Sequence, residues 1–233
     1  MDERDAGVAA LAREGAAEAR LRADLLLGFH ILDEEGQHSG IAGHVTARLP
    51  SGAGLLGHGW GLAFDEVRAE TIHAADDDLV CAAGARVSPS LAFHVAIYRV
   101  RPELGAIVHT HGRHALALGA AGAAFRPVYQ SALMLWQAVR PYDRYDGIVE
   151  SAEVGGRMAA ALGDGRVLAL RNHGIVAVGA TVAEAVCAAV IYEENCAVQL
   201  AAMAAGGAEV CDLDGPEAAQ ARDFLAGAKV VDM

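Results

Sequence analysis

The sequence predicts an α/β fold, with a mixed sheet and helices packed on its faces. Three observations carry that reading. Short stretches rich in Val, Ile and Leu interleave along the chain with longer, Ala-rich stretches of helical character. One pair of strands, "RVLALR" (166–171) and "IVAVG" (175–179), is separated by so short a turn that it reads as a hairpin. The length, 233 residues, suffices for one well-buried core and is short for two. The chain therefore reads as a single domain over 1–233, with its core at about 8–205 and a tail at 206–233.

The elements run in order along the chain. Residues 6–33 read as a helix, with Leu25, Leu26, Phe29 and Leu32 near helical spacing. Gly36 to Gly43 is a polar, glycine-containing loop, and "HVTARL" (44–49) alternates as a strand does. "GAGLLGHGWG" (52–61) reads as a short strand entering a glycine-rich loop, and "DDDLVCA" (76–82) as the start of another. Ser88-Pro89-Ser90 opens a helix over about 90–100 that Pro102 stops. "LGAIVHTH" (104–111) is a buried strand by its Ile and Val, followed by a helix over about 112–120. One or two short extended pieces fall within 126–141, and a helix covers about 151–162. After the hairpin, Thr181 and Glu184 form a T-x-x-E capping box that opens a helix to about 204, and the tail reads as a loop and a final short helix.

Charge excludes several classes of function. The net charge of -12 argues against nucleic acid, whose phosphates require clustered Lys and Arg, and against an anionic membrane surface. The first twenty residues are charged and lack the apolar centre of a signal peptide, and no long apolar run predicts a membrane span. Cys81, Cys187, Cys196 and Cys211 form no C-x-x-C pair, and Cys187 and Cys196 sit on different turns of one helix. Together these predict a cytoplasmic protein with reduced thiols.

The histidines carry the chemistry. His109 and His111 are two apart at the end of a strand, so both imidazoles point to one side, where they could chelate a divalent ion. His-x-His alone is a weak signal, and histidines at a strand end more often hold no metal. His173 lies in the turn "RNHG", where a sheet presents functional side chains, and a third imidazole would leave the fourth coordination position open for catalysis. His94 shares a helix face with Ser90, and His114 could serve as a proton shuttle beside a metal. His44 and His58 stand next to glycines near loops, whereas His30, His38 and His73 show no pattern.

The order "GHVTAR" (43–48), "FHVAIYRVRPELGAIVHTHGRHALAL" (93–118), "YDGI" (145–148) and "LALRNHGIVAVGATVAEA" (168–185) resembles the class II aldolase/adducin family over about residues 25–204. The resemblance implies a three-layer α/β/α fold around a mixed, largely antiparallel sheet. It implies one divalent metal per chain held by His109, His111 and His173, zinc first, with iron, manganese or cobalt as alternatives. It implies a homo-oligomer, usually a tetramer.

The departures bear on the reaction. Where family aldolases carry the acid/base Glu of a "PSSE" stretch, this chain has Ser90. His44 and His58 replace an Asn and a Thr of the family's phosphate cradle and Trp60 fills a small-residue position, while Thr46, Arg48 and Ser88 remain. A pocket of His44, Arg48, His58, Trp60, Ser88 and Ser90 suits a planar carboxylate better than a sugar phosphate, with His⁺ pairing the carboxylate and indole stacking on a ring. Aldol chemistry needs a general base, a role that His94, His114 or Tyr129 would have to fill. Decarboxylation instead needs an electron sink and a proton donor. The leading expectation is a metal-dependent carbon–carbon lyase that decarboxylates a small hydroxylated aromatic or related carboxylic acid. An aldolase on a non-phosphorylated or sugar-phosphate substrate, a non-heme iron oxygenase and a non-enzymatic adducin-like module are the alternatives.

Overall fold

A seven-stranded sheet runs through the protein in the order β3-β2-β1-β4-β7-β6-β5. The computed structural model describes residues 3–37, 39–206 and 213–225; His38, Cys211 and most of the expected tail lie outside these. The strands are β1 (His44–Arg48), β2 (Leu55–His58), β3 (Ile72–Ala75), β4 (Ala106–Thr110), β5 (Val139–Tyr142), β6 (Val167–Leu170) and β7 (Gly174–Gly179). All neighbours pair antiparallel except β5 with β6. The helices are α1 (Glu3–Glu34), α2 (Ala92–Val100), α3 (Arg113–Ala120), α4 (Ala152–Leu162), α5 (Val182–Ala204) and α6 (Gly215–Leu225). Thr181 caps α5, its hydroxyl accepting from Glu184 N at 3.2 Å, and Ser151 caps α4 in the same way at 3.2 Å.

Period-two alternation sorts the strands between two cores. Val45, Ala47, Val108, Ile175 and Ala177 face α1, α3 and α5. Ile107, Leu168, Val176 and Val178 face α2 and α4. The polar residues of β1 obey the same rule and form a buried seam with α2. Thr46 Oγ1 lies 2.8 Å from His94 Nδ1 and 3.1 Å from Tyr98 Oη. The Arg48 guanidinium stacks on the Tyr98 ring at 4.5 Å.

Helix α5 fastens the chain beyond β4 with three polar side chains. The Glu193 carboxylate accepts from the amides of His114 (2.8 Å) and Ala115 (2.9 Å), satisfying the N-terminus of α3. Asn195 and Gln199 each donate to and accept from the backbone of 124–128, as a neighbouring strand would.

One expectation needs correction. Residues 76–82 form no strand: Asp76 Oδ1 accepts from the amides of Asp78 and Val80 at 3.0 and 2.8 Å, closing a turn. The strand in this region is β3, whose four residues, Ile-His-Ala-Ala, carry too little apolar pattern to stand out. Of the one or two extended pieces expected within 126–141, β5 is present, and residues Gln130–Leu135 form a 3-10 turn. Cys81, Cys187 and Cys196 are free thiols, and no helix among the described residues is long and apolar enough to cross a membrane.

Helices α2 and α4 touch at Gly155, where an added Cβ would sit 2.9 Å from Phe93 Cα and 2.9 Å from Ala96 Cβ. Gly155→Val is expected to force the two helices apart and to cost about 2 kcal/mol or more, read as a lower urea midpoint at unchanged slope.

Candidate metal centre

Three histidines converge where β4 ends and β7 begins. His109 is the fourth residue of β4 and points into the α2 side of the sheet, where its ring meets Phe93 at 5.3 Å. His111 comes two residues later on the same side. The register that sets Thr110 opposite Ile175 brings the β6–β7 turn alongside. That turn, residues 171–173 between the paired Leu170 and Gly174, contains Asn172 at φ 56 and leads into Gly174 at φ 130. Asn tolerates the left-handed region better than most residues. Gly174 admits no side chain, because a Cβ there would lie 2.2 Å from the Thr110 carbonyl oxygen and 2.9 Å from the His111 ring. The close packing carries His173 over the strand end.

Ligand atoms of His109, His111 and His173 all lie within 4.8 Å of one another. The rings of His111 and His173 stack at 5.1 Å, and His109 stands edge-on to both. His109 Nδ1 donates to the Ile175 carbonyl at 2.8 Å. That bond fixes the tautomer and leaves Nε2 with a free lone pair. Burial holds all three below the ordinary imidazole range; the neighbouring imidazoles add to this at His109 and His111, and His111 is pushed down to about 4. Neutral imidazoles with one open nitrogen are the form that binds a divalent metal, so this donor set fits one.

A cavity of about 310 Å³ opens over the cluster, near the lower end of the range for small-ligand sites. Its walls include His44, Trp60, Ser88, Ser90 and Phe93. Two larger cavities, about 410 and 550 Å³, lie elsewhere and contain none of the three histidines. His44 sits opposite His109 in the β1–β4 register and stacks on it at 5.7 Å. Ser88 accepts from the Ser90 amide at 3.3 Å and caps the 3-10 turn ahead of α2. Trp60, 47% exposed, forms the rim and carries the Arg86 guanidinium on its ring at 4.2 Å.

The other expected residues fall elsewhere in this chain. His94 and His58 are buried behind His44, at 5.8 and 6.1 Å between ring centres, and neither lines the cavity. Arg48 is spent on structure: its guanidinium donates to the carbonyls of Leu104, Tyr98 and Arg101. It lies four residues along β1 from His44, a displacement of about 13 Å. His114 bonds Glu193 at 2.9 Å and Tyr129 donates to Glu194 at 2.6 Å, both outside the cavity. The expected His⁺–carboxylate pairing also needs revision. Burial, reinforced by the neighbouring His94 and His58, holds His44 well below its ordinary pKa, so it meets a ligand as a neutral imidazole.

Sequence reasoning missed one wall altogether. Tyr145, Ile148 and Glu150 line the cavity from the segment between β5 and α4. The "YDGI" motif marked this segment without a role. Asp146 pins it, accepting from Tyr142 Oη and, at 2.8 Å, from Arg157.

Comparison with known proteins bears on the fold and the family. The Class II Aldolase and Adducin N-terminal domain matches residues 23–200. A 3,4-dihydroxyphthalate decarboxylase of Terrabacter sp. (strain DBF63) is 31% identical over 231 residues, covering 91% of this chain and 92% of its own. A 4-hydroxy-3-prenylphenylpyruvate oxygenase/4-hydroxy-3-prenylbenzoate synthase of Streptomyces roseochromogenus is 35% identical over 116 residues, half of this chain and 42% of its own. Among solved structures, L-fuculose 1-phosphate aldolase from Glaciozyma antarctica superposes with a TM-score of 0.84 at 27% identity, over 94% of this chain and 86% of that one.

The buried histidines make the fold acid-sensitive. Burial pushes His58 from 6.5 down to about 4. Below 6.5 the unfolded chain therefore takes up a proton that the folded one refuses, and stability is lost as pH falls from 6.5 to 4, by roughly 3 kcal/mol for a shift of this size. Urea midpoints measured across that window are expected to fall less steeply in His58→Gln than in the wild type.

Proposed function

Because the chain belongs to the class II aldolase and adducin family, we propose that it is a divalent-metal-dependent carbon–carbon lyase whose reaction is decarboxylation of a small hydroxylated aromatic carboxylic acid. The observation that carries this reading is the composition of the cavity above the three histidines. Its walls hold Trp60, Phe93, Tyr145 and a neutral His44, and among the described residues that line it there is no Lys or Arg. A phosphate cradle would need such a cation. An aromatic ring needs flat apolar walls with a few hydrogen-bonding groups.

His109, His111 and His173 would hold the metal, zinc by our reading, since three imidazoles suit it. When bound, the metal supplies a Lewis acid that stabilises negative charge developing on a substrate oxygen. The chain's own residues orient the substrate. Phe93 and Trp60 bracket the ring, and Ser88, Ser90 and the His44 imidazole offer hydrogen bonds to its carboxylate. His94, held by Thr46, backs His44 and fixes its orientation. We also propose that the chain assembles as a homotetramer; His114 and Tyr129 would then serve catalysis only if assembly brings them to a neighbouring cavity.

An aldol reaction is the second reading, favoured by the fold likeness to L-fuculose 1-phosphate aldolase. It requires a base that Ser90 does not provide.

Metal analysis and anaerobic CO2 release from hydroxylated benzoates test the proposal. About one metal per chain, with CO2 release that needs no oxygen and disappears in His109→Ala, is expected. Metal below about 0.1 per chain after supplementation would sink the enzyme readings. Substrate-dependent oxygen uptake would indicate an oxygenase, and turnover of a sugar phosphate an aldolase.

A further inference from the structure

We propose that Glu150 is the catalytic acid/base of this site, taking the proton of a substrate hydroxyl; the proposal rests on the reading of the cavity as a lyase site for hydroxylated acids. Glu150 is the only carboxylate among the described residues that line the cavity. It lies on the segment after β5, and Ser90, the position without a carboxylate, lines the same cavity. Its side chain is exposed to solvent and has no hydrogen-bond or ion-pair partner among the described residues.

The surrounding backbone holds it in place. Val149 before it is 4% exposed in the α2/α4 core. Ser151 after it caps α4. Helix α4 is locked to α2 through Gly155, and Phe93 of α2 forms another wall of the same cavity. A free carboxylate on an anchored segment of the cavity wall is placed to accept from a hydroxyl, since an ionised carboxylate can only accept.

The chemistry balances. As a solvent proton adds to the ring carbon that bears the carboxylate, the substrate O–H bond breaks. Its proton passes to Glu150 and its electron pair forms a carbonyl. The bond to the carboxylate then breaks, CO2 leaves, its electron pair restores the ring, and the oxygen takes the proton back from Glu150. The sum is R–CO2⁻ plus H⁺ giving R–H and CO2.

The test separates contact from turnover. Metal-loaded wild type and Glu150→Gln are titrated calorimetrically with 3,4-dihydroxybenzoate and with 3- and 4-hydroxybenzoate. Deleting one of the two hydroxyls is expected to weaken binding to the wild type about tenfold more than binding to Glu150→Gln. Metal content stays equal in the two proteins. kcat falls about a hundredfold in Glu150→Gln, and Glu150→Asp restores part of it. Equal hydroxyl penalties in the two proteins, or no binding of 3,4-dihydroxybenzoate to the wild type, overturn the proposal. Coupled binding without CO2 release would sink the decarboxylase reading and leave the Glu150 contact standing.

Discussion

The register between β4 and β7 is the constraint on which the candidate centre depends. With Thr110 opposite Ile175, the end of one strand and the turn before the other meet at one point of the sheet. A slip by one residue would turn His109 to the α1 side and carry the β6–β7 turn past His111. Two contacts hold the register at this point: the His109 Nδ1 bond to the Ile175 carbonyl and the close approach of Gly174 to Thr110. Both also act on the three histidines themselves, one by fixing a tautomer and the other by setting the distance between the turn and the strand.

The same alternation explains the histidines behind the cluster. His44, Thr46 and Arg48 occupy one side of β1 and meet His94 and Tyr98, one turn apart on α2. Only the end of this seam nearest the cavity is open to a ligand. Of the two pocket residues expected on this strand, His44 lines the cavity, while Arg48, with Thr46, anchors a helix.

The centre was legible in the sequence where spacing and geometry coincide. His-x-His at a strand end put two imidazoles on one side, the family resemblance added His173, and the β4–β7 pairing brings the three together. The sheet and its flanking helices were legible through apolar period, and the family resemblance supplied the rest of the fold. Arg48 misleads because spacing says which side a side chain takes but not how far along the strand the cavity extends. The wall from Tyr145 to Glu150 was hidden for a different reason: it approaches from a segment remote in sequence from the His-x-His pair, with no period or charge pattern to tie it there. Strand β3 escaped because four residues with two alanines bury too little to signal.

The indole at the cavity rim has a consequence of its own. The protein has two tryptophans. Trp60 lies at the mouth of the histidine cavity beneath Arg86, while Trp136 sits by Arg222 of α6, away from it. A ligand held in the cavity would lie beside the half-exposed Trp60, one of the cavity's walls. The protein thus carries an intrinsic optical probe at its own doorway: a shift in tryptophan emission on ligand entry would come from one side chain, with the second serving as an internal reference.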